Sequence, residues 1–132
     1  MVNKLYECKN YIMFLHLNHQ KLDIYNYSKQ LVVECYKITK VFPSDEKYIL
    51  TAQIRRAALS VHLNIAEGAS RKSTVERKRF YEIARSSIVE IDAALDVSMD
   101  LNYFTKIEID HLGFLMIKCF KILCGMIVSS NY

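Results

Sequence analysis

The sequence predicts an all-α protein, organised as one antiparallel, up-down four-helix bundle. The chain has 132 residues, of which 52% are hydrophobic, but it contains only three glycines and one proline. A sheet protein of this length needs many tight turns, and such turns usually take more of both residues. Apolar residues also recur at alternating intervals of three and four, which is typical of the seams between packed helices. Four such segments joined by short connections favour an up-down bundle.

The first helix is expected from about residue 21 to residue 41. Phe42-Pro43 ends it, because the residue before a proline avoids the helical conformation. The second helix is expected to begin with Ser44 as its N-cap, where Asp45 and Glu46 suit the positive end of a helix. Gly68 is its expected stop. The seam of the first helix consists of Ile24, Ser28, Leu31, Cys35, Ile38 and Phe42.

The third and fourth helices are each expected to open with a capping box, in which a hydroxyl residue is followed three positions later by glutamate. Ser73 and Glu76 form the first box, and Thr105 and Glu108 form the second. The fourth helix is expected to continue to about Val128. The seam of the third helix consists of Phe80, Ala84, Ser87, Ile91, Ala94, Ser98 and Leu101.

Two helices have more apolar surface than one four-helix bundle can cover. The fourth helix is apolar nearly all round from residue 112 to residue 128, with only Lys118 and Lys121 marking a polar strip. The second helix has two apolar sides, roughly opposite each other on a wheel of about 100° per residue. Uncovered apolar surface predicts a homo-oligomer. The alternative is that residues 1–18 cover it. The two sides are Leu50, Ile54, Ala57, Ala58, Val61 and Ile65, against Tyr48, Ala52, Leu59, Leu63 and Ala66.

Composition and targeting signals favour a cytoplasmic protein that does not span a membrane. The N-terminal apolar run is short, is interrupted by His16 and lacks a small-residue cleavage site, which argues against a signal peptide. Lys118 and Lys121 lie near the middle of the longest apolar run, which argues against a spanning helix. The four cysteines match neither a metal site nor a disulfide framework, so reduced, buried thiols are expected. They are Cys8, Cys35, Cys119 and Cys124.

The segment from residue 42 to residue 92 resembles the 23S rRNA-intervening sequence protein family. The Phe42-Pro43 turn, the run Gln53-Ile-Arg-Arg-Ala-Ala58 and the motif Asn64-Ile-Ala-Glu-Gly68 carry the resemblance. It extends more weakly over about residues 19–128, so residues 19–132 are expected to be the bundle domain. Residues 1–18 lie outside it and are expected to be an extension, unless the protein starts later, for instance at Met13. The family usually has a proline shortly before Asn64, where this chain has Val61-His62-Leu63, so its second helix is expected to be straighter.

The resemblance implies a bundle that assembles as a ring, a homopentamer. It also implies an origin in reading frames carried within inserts of ribosomal RNA genes. Related bundles act as accessory proteins beside reverse transcriptases, which makes a reverse transcriptase or another protein a second kind of partner. The family has no established enzymatic activity, and its suspected role involves nucleic acid.

The basic excess is local and points to RNA or DNA. Residues 55–85 carry eight cations against three acids, in a chain with a formal net charge of +4. Cations beside a helix N-terminus do not help folding, whereas a phosphate backbone would offset their repulsion. The equally weighted alternative is a solvated helix surface, in which Glu82 pairs with neighbouring cations. The predicted binding residues are Arg71, Lys72, Arg77, Lys78 and Arg79, with Arg55 expected to face solvent and add to this surface.

A polar stripe separates the two apolar sides of the second helix and predicts a structural network, formed within or between subunits. Buried arginine needs paired acceptors, and Glu67 is the nearest residue of that type for Arg56. Ser60 lies in the same stripe. The residues assigned to the network are Gln53, Arg56, Asn64 and Glu67.

Catalytic, metal and cofactor sites are not expected. The four histidines show no ligand spacing with an acid or a cysteine. Asp92, Asp96 and Asp100 lie along one side of the third helix, which favours a solvated acidic face over a cation site. The first hypothesis is a non-enzymatic, oligomeric nucleic-acid-binding accessory protein. The second is a scaffold that binds a protein partner, and an enzyme with its site at a subunit junction is the third.

Overall fold

The computed structural model describes residues 22–130 together with Leu15 and Leu17, and this part of the chain is all-α. Each helix packs against its neighbours in the chain, and the first also packs against the last, which closes a four-helix bundle. The first two helices run antiparallel, because Ser28 contacts His62 whereas Thr39, further along the first helix, contacts the earlier residue Arg55. The hydrogen bonds Gln53–Glu90 and Ser60–Ser87 show the same for the second and third helices. The helices are α1 (Asp23–Thr39), α2 (Leu50–Ser70), α3 (Thr74–Asp100) and α4 (Asp110–Ser129), and a 3-10 turn spans Ser44–Glu46.

The core lies along the axis between the four helices and agrees with most of the predicted seams. In α1 the seam holds except that Thr39 is buried at its end and Ile38 is only half-buried. In α3 the buried stripe is shifted by one residue in places, so that Tyr81 is buried whereas Phe80 is half-buried and Leu101 is exposed. The largest fully buried side chains are Ile24, Leu31, Ile54, Ile65, Ile91, Leu115, Leu123 and Val61.

The second helix begins at Leu50, six residues later than its predicted N-cap at Ser44. Ser44 instead opens the 3-10 turn, and Ile49 leaves the helical region with φ −116° and ψ −99°. The Glu46 carboxylate then accepts a hydrogen bond from the Leu50 backbone N–H at 3.2 Å. A side chain four residues upstream therefore satisfies a free donor of the first turn.

Gly68 does not end α2, which continues to Ser70. The glycine is buried against α3, where an added Cβ would lie only 2.7 Å from Tyr81 Cε1. Glycine at this position therefore provides space between two helices rather than a left-handed conformation. The helix continues without interruption through Val61, over 21 residues in all.

The two capping boxes have different outcomes. Ser73 caps α3 as predicted, and its hydroxyl accepts the Glu76 N–H at 3.4 Å. Glu108 accepts the Thr105 N–H at 2.6 Å, but α4 begins only at Asp110. Residues 106–109 form turns instead, so this second box closes a connecting loop rather than a helix start.

Cys35 and Cys119 are buried thiols of the core, and burial raises the pKa of each to about 12. Cys124 is half-buried, and Cys8 lies outside the described residues. In the unfolded chain these thiols ionise near their ordinary pKa of 9.0. Because only the unfolded state releases protons between pH 9 and pH 12, the free energy of unfolding falls as the pH rises through this range.

We therefore expect the urea midpoint to decrease steeply between pH 8.5 and pH 10.5. The double variant C35A/C119A starts from a lower midpoint, because it leaves cavities, but its midpoint should decline less steeply over the same range. Equal slopes for the two proteins would contradict the assignment of this pH dependence to the buried thiols.

Apolar surface remains uncovered on α2 and α4, the two diagonal helices of the bundle. Leu63 of α2 is 56% exposed, and Ile117 of α4 is 58% exposed. By length and composition α4 is also the one helix of the described chain that could cross a membrane, with a mean hydropathy of 1.9 over its most apolar stretch. A third of that stretch is buried in the bundle, and core helices of soluble proteins have the same composition.

Candidate nucleic-acid interface

A three-residue connection, Arg71 to Ser73, joins α2 to α3. It is exposed and lies within the basic stretch of residues 55–85. Ser73 occupies the N-cap position, so its hydroxyl orients the first turn of α3. The remaining N–H groups of that turn have no partner within the helix, and they point out of its end. The local sequence therefore places cationic side chains beside a helix N-terminus, at one end of the bundle.

Arg77 holds this connection in shape. Its Nη1 donates to two backbone carbonyl oxygens of the loop, Arg71 O at 2.9 Å and Lys72 O at 2.8 Å. Both acceptors belong to the turn that reverses the chain, so a single guanidinium closes the loop. The side chain is half-buried against the bundle. Arg77 was predicted as a phosphate ligand, and the structure gives it a positioning role in the loop.

Arg71 is held on the surface by two contacts. Its Nη2 lies 3.2 Å from Glu67 Oε2 in an ion pair between residues four apart. Its guanidinium also lies over the Phe80 ring, 5.0 Å from the ring centroid. The side chain is still 42% exposed, so one edge of the guanidinium faces solvent. Stacking on an aromatic ring keeps such a group extended and weakly hydrated.

Lys72 and Arg79 are exposed, and Lys78 is half-buried. Arg79 lies one turn into α3 and lines the groove between α2 and α3, whereas Lys72 lies in the loop itself. The five predicted cations of residues 71–79 therefore occupy one end of the bundle, but they do not act alike. Arg77 organises the loop, Arg71 is partly neutralised by Glu67, and Lys72 and Arg79 are available to a ligand.

Arg55 does not face solvent as predicted. Its Nε donates to Thr39 Oγ1 at 2.8 Å, and its Nη2 lies 3.5 Å from Tyr36 O. The guanidinium also sits 4.7 Å from the centroid of the Tyr36 ring. The long side chain reaches across to the C-terminal turn of α1, where carbonyl oxygens and the helix dipole favour a cation. Arg55 is thus a link between α1 and α2, away from the basic loop.

The predicted polar network forms in part. Ser60 is its centre, because it accepts hydrogen bonds from Asn64 Nδ2 at 3.1 Å and from Ser87 Oγ at 2.8 Å. Gln53 reaches α3 by donating to Glu90 at 3.3 Å. The Ser60–Ser87 and Gln53–Glu90 bonds join α2 to α3, so the network is structural within one chain.

Glu67 and Arg56 do not pair with each other in the structure. Glu67 binds Arg71 instead, since the two residues lie one helical turn apart. Arg56 is exposed rather than buried, and it makes no hydrogen bond or ion pair with another residue of the described chain. Because the Arg56 guanidinium remains in contact with water in a single subunit, it does not need a paired acceptor there.

An open groove of about 690 Å³ runs between α2 and α3. Its floor is made of small residues, including Ala57, Ser60 and Ser87, and these allow the two helices to approach closely. Both signs of charge line its walls. The charged residues are Arg56, Arg79, Glu82 and Glu90. Because two cations and two anions line the groove, it is not expected to extend the basic loop as a binding surface for a polyanion.

One Ser–His contact was not foreseen from the sequence. Ser28 Oγ lies 2.7 Å from His62 Nδ1 and donates to Tyr25 O at 3.0 Å. Because Ser28 is fully buried, no substrate can reach its hydroxyl. The described residues contain no group of three His, Cys, Asp or Glu that could hold a metal ion. His16 and His19 lie outside the described residues.

The fold defines a class of protein: small all-α bundles of four helices. The sequence profile of 23S rRNA-intervening sequence proteins matches residues 20–125. The chain belongs to the 23S rRNA-intervening sequence protein family, whose function is unknown. The resemblance carried by residues 42–92 is thereby confirmed.

A crystal structure at 1.70 Å resolution shares the fold. It shows a protein of unknown function from the S23 ribosomal protein family of Bacteroides thetaiotaomicron, with a TM-score of 0.72 and 20% sequence identity. The match covers 79% of this chain and 97% of that one. A search of the curated proteins gave no significant match.

Proposed function

We propose that this protein is a non-enzymatic, oligomeric protein that binds the phosphate backbone of RNA or DNA. The binding surface consists of the α2–α3 connection and the first turns of α3. The observation that supports it is the Arg77 clamp on Arg71 O and Lys72 O. A loop closed in this way keeps Lys72 beside the N-terminus of α3, at the end of the bundle where Arg79 lies in the first turns of the helix.

The chemistry of this surface suits phosphate rather than bases. Each phosphate neutralised by a cation releases condensed counterions, which makes the affinity strongly dependent on salt. Phe80, an aromatic side chain in the first turns of α3, is already covered by the Arg71 guanidinium. That face of the Phe80 ring is therefore not open to a stacked base. Binding is expected to be directed at the backbone, with little sequence specificity.

Neutralising Lys72 and Arg79 should weaken binding without disturbing the fold. Both side chains are exposed, and neither makes a hydrogen bond or ion pair within the described chain. If each contacts one phosphate, K72Q/R79Q lowers the slope of log K against log salt by roughly 0.9 per contact on duplex DNA, or roughly 0.7 on single strands. The measurement is fluorescence anisotropy with labelled RNA and DNA, single-stranded and duplex, from 20 to 300 mM salt.

The matched control is K40Q/K106Q, which removes the same charge from two exposed lysines distant from the loop. Its salt slope should stay close to that of the wild type, because overall charge contributes less than direct contact. Equal losses in the two double variants would attribute binding to net charge. Absence of binding at 20 mM salt would refute the proposed function.

The second candidate function is a scaffold for a partner protein such as a reverse transcriptase, with no direct contact to nucleic acid. The exposed apolar faces of α2 and α4 favour it, because contiguous apolar surface commonly marks a protein interface. Failure of the nucleic-acid experiment would make this function the leading one. Both candidates are non-enzymatic and need no cofactor, and we place the protein in the cytoplasm.

A further inference from the structure

An apolar groove of about 320 Å³ lies at the surface between α3 and α4. Val89 is 55% exposed and Ile117 is 58% exposed, so the walls of the groove are largely open to water. Asp92 from α3 and Lys121 from α4 also line it, and neither makes an ion pair within the described chain. Exposed apolar surface of this kind marks a binding site. The apolar lining residues are Ile88, Val89, Met116, Ile117 and Phe120.

The chain that precedes α1 enters the bundle at the end where α4 finishes. The helices α3 and α4 run antiparallel, because Arg85 contacts Cys124 whereas Asp92, further along α3, shares the groove with the earlier residue Ile117. The first three helices alternate in direction in the same way. Leu22, just before α1, therefore lies at the same end of the bundle as the last turn of α4, the helix against which α1 packs.

The groove is within reach of this preceding segment. From Ser129 back to Lys121 and Met116 is about 12–20 Å along α4, at 1.5 Å per residue. Crossing the diameter of one helix, about 10 Å, brings the path to roughly 20 Å. Residues 15–21 span up to about 23 Å when extended, at roughly 3.3 Å per residue. Leu15 and Leu17 are 61% and 43% exposed, which suits a connection outside the bundle.

Residues 5–14 have a composition that matches the groove. Seven of these ten residues are apolar or aromatic, and the two charged ones, Glu7 and Lys9, have opposite signs. Asp92 and Lys121 offer one partner of each sign, so the groove and the segment are both neutral overall. A tethered segment whose linker matches the span also has an effective concentration of about a millimolar, which a separate partner rarely reaches.

We propose that residues 5–14 bind in the α3–α4 groove of their own chain. Their apolar side chains cover Ile117 and Phe120, while Glu7 lies towards Lys121 and Lys9 towards Asp92. The segment shields α4 from water and leaves the exposed face of α2 free. A partner protein that uses this groove must first displace the segment. The inference does not rest on nucleic-acid binding, because the groove is formed by α3 and α4 and excludes the α2–α3 connection.

Tryptophan fluorescence tests this contact in the full chain. The sequence contains no tryptophan, so M13W reports on the segment alone. Its emission should lie at a shorter wavelength than in urea and resist quenching by acrylamide. In M13W/I117E, which damages the groove, emission and quenching should approach those of the urea-unfolded chain. M13W/L63E is the matched control, because Leu63 is equally exposed but lies on α2, and it should emit like M13W. Circular dichroism verifies that each variant is folded.

A mixing experiment separates binding within one chain from binding between copies. M13W/I117E and M13E are refolded together from urea at low micromolar concentration, so that the intact segment and the intact groove are on different chains. The tryptophan should stay exposed, because a concentration far below the effective one cannot replace the tether. Recovery of the short-wavelength emission would show exchange between copies and would overturn the proposal. An exposed tryptophan in M13W itself, or equal emission from M13W and M13W/I117E, would overturn it as well.

Discussion

Replacing Gly68 with alanine is expected to lower the free energy of unfolding by about 1–2 kcal/mol, the balance of overpacking and helix propensity. The new Cβ would lie 2.7 Å from Tyr81 Cε1 and 3.0 Å from Phe80 Cβ. Tyr81 is 5% exposed, so its ring cannot move away without displacing other core residues. Overpacking of a buried contact costs about 1–3 kcal/mol. Alanine offsets up to about 1 kcal/mol of that cost through its better helix propensity.

G125A is the matched control, because Gly125 is exposed in α4 and an added Cβ would meet nothing within 4 Å. Only the effect of helix propensity remains at this position, so the free energy of unfolding of G125A should exceed that of the wild type by about 0.5–1 kcal/mol. Urea titration followed by circular dichroism measures both variants against the wild type. If G68A proved as stable as G125A, the close approach of α2 to α3 at Gly68 would be refuted.

Removing the Arg55 side chain is expected to cost about 2 kcal/mol, the sum of a charge-assisted hydrogen bond and a cation–π contact. In R55A, Thr39 Oγ1 loses a donor at 2.8 Å, and the Tyr36 ring loses the cation above it. The link between α2 and the last turn of α1 is then broken. Thermal unfolding should show a lower Tm, and hydrogen exchange should quicken first near residues 36–42.

The control is R79A, which removes an arginine from an exposed helical position where it makes no hydrogen bond in the described chain. Its effect on unfolding should stay within about 0.5 kcal/mol, as for other surface substitutions. R55A should bind nucleic acid with the affinity of the wild type. R79A should bind it more weakly than the wild type. The opposite pattern would return Arg55 to the binding surface and contradict its role as a link.

The predicted seams located the helices well. A helix that is buried on one side has apolar residues at alternating intervals of three and four, and this spacing is visible in the sequence. Ile24, Leu31 and Cys35 repeat at intervals that no strand would produce, and all three are buried. Helix boundaries were harder to predict because they depend on single side chains. Ser44 resembles an N-cap, but the start of α2 is determined by Glu46, whose carboxylate reaches Leu50 N across the turn.

The basic loop was located from the sequence, but the roles of its residues were not. A helical wheel gives the direction of a Cβ and not the reach of a long side chain. Arg55 lies at the flank of α2, so only the position of α1 shows that its guanidinium ends on Thr39. Arg77 is similar, because its acceptors are backbone carbonyls that the sequence does not display.

The close pairing of α2 and α3 through Gly68, Ser60 and Ser87 also bears on the order in which the chain folds. Only three residues separate the two helices, so bringing them together costs little loop-closure entropy. Local contacts of this kind form early, before α1 and α4 can dock. The α2–α3 hairpin is therefore expected to act as the folding nucleus. Its tip is the basic loop, whose cations would be displayed while the last helix is still being synthesised.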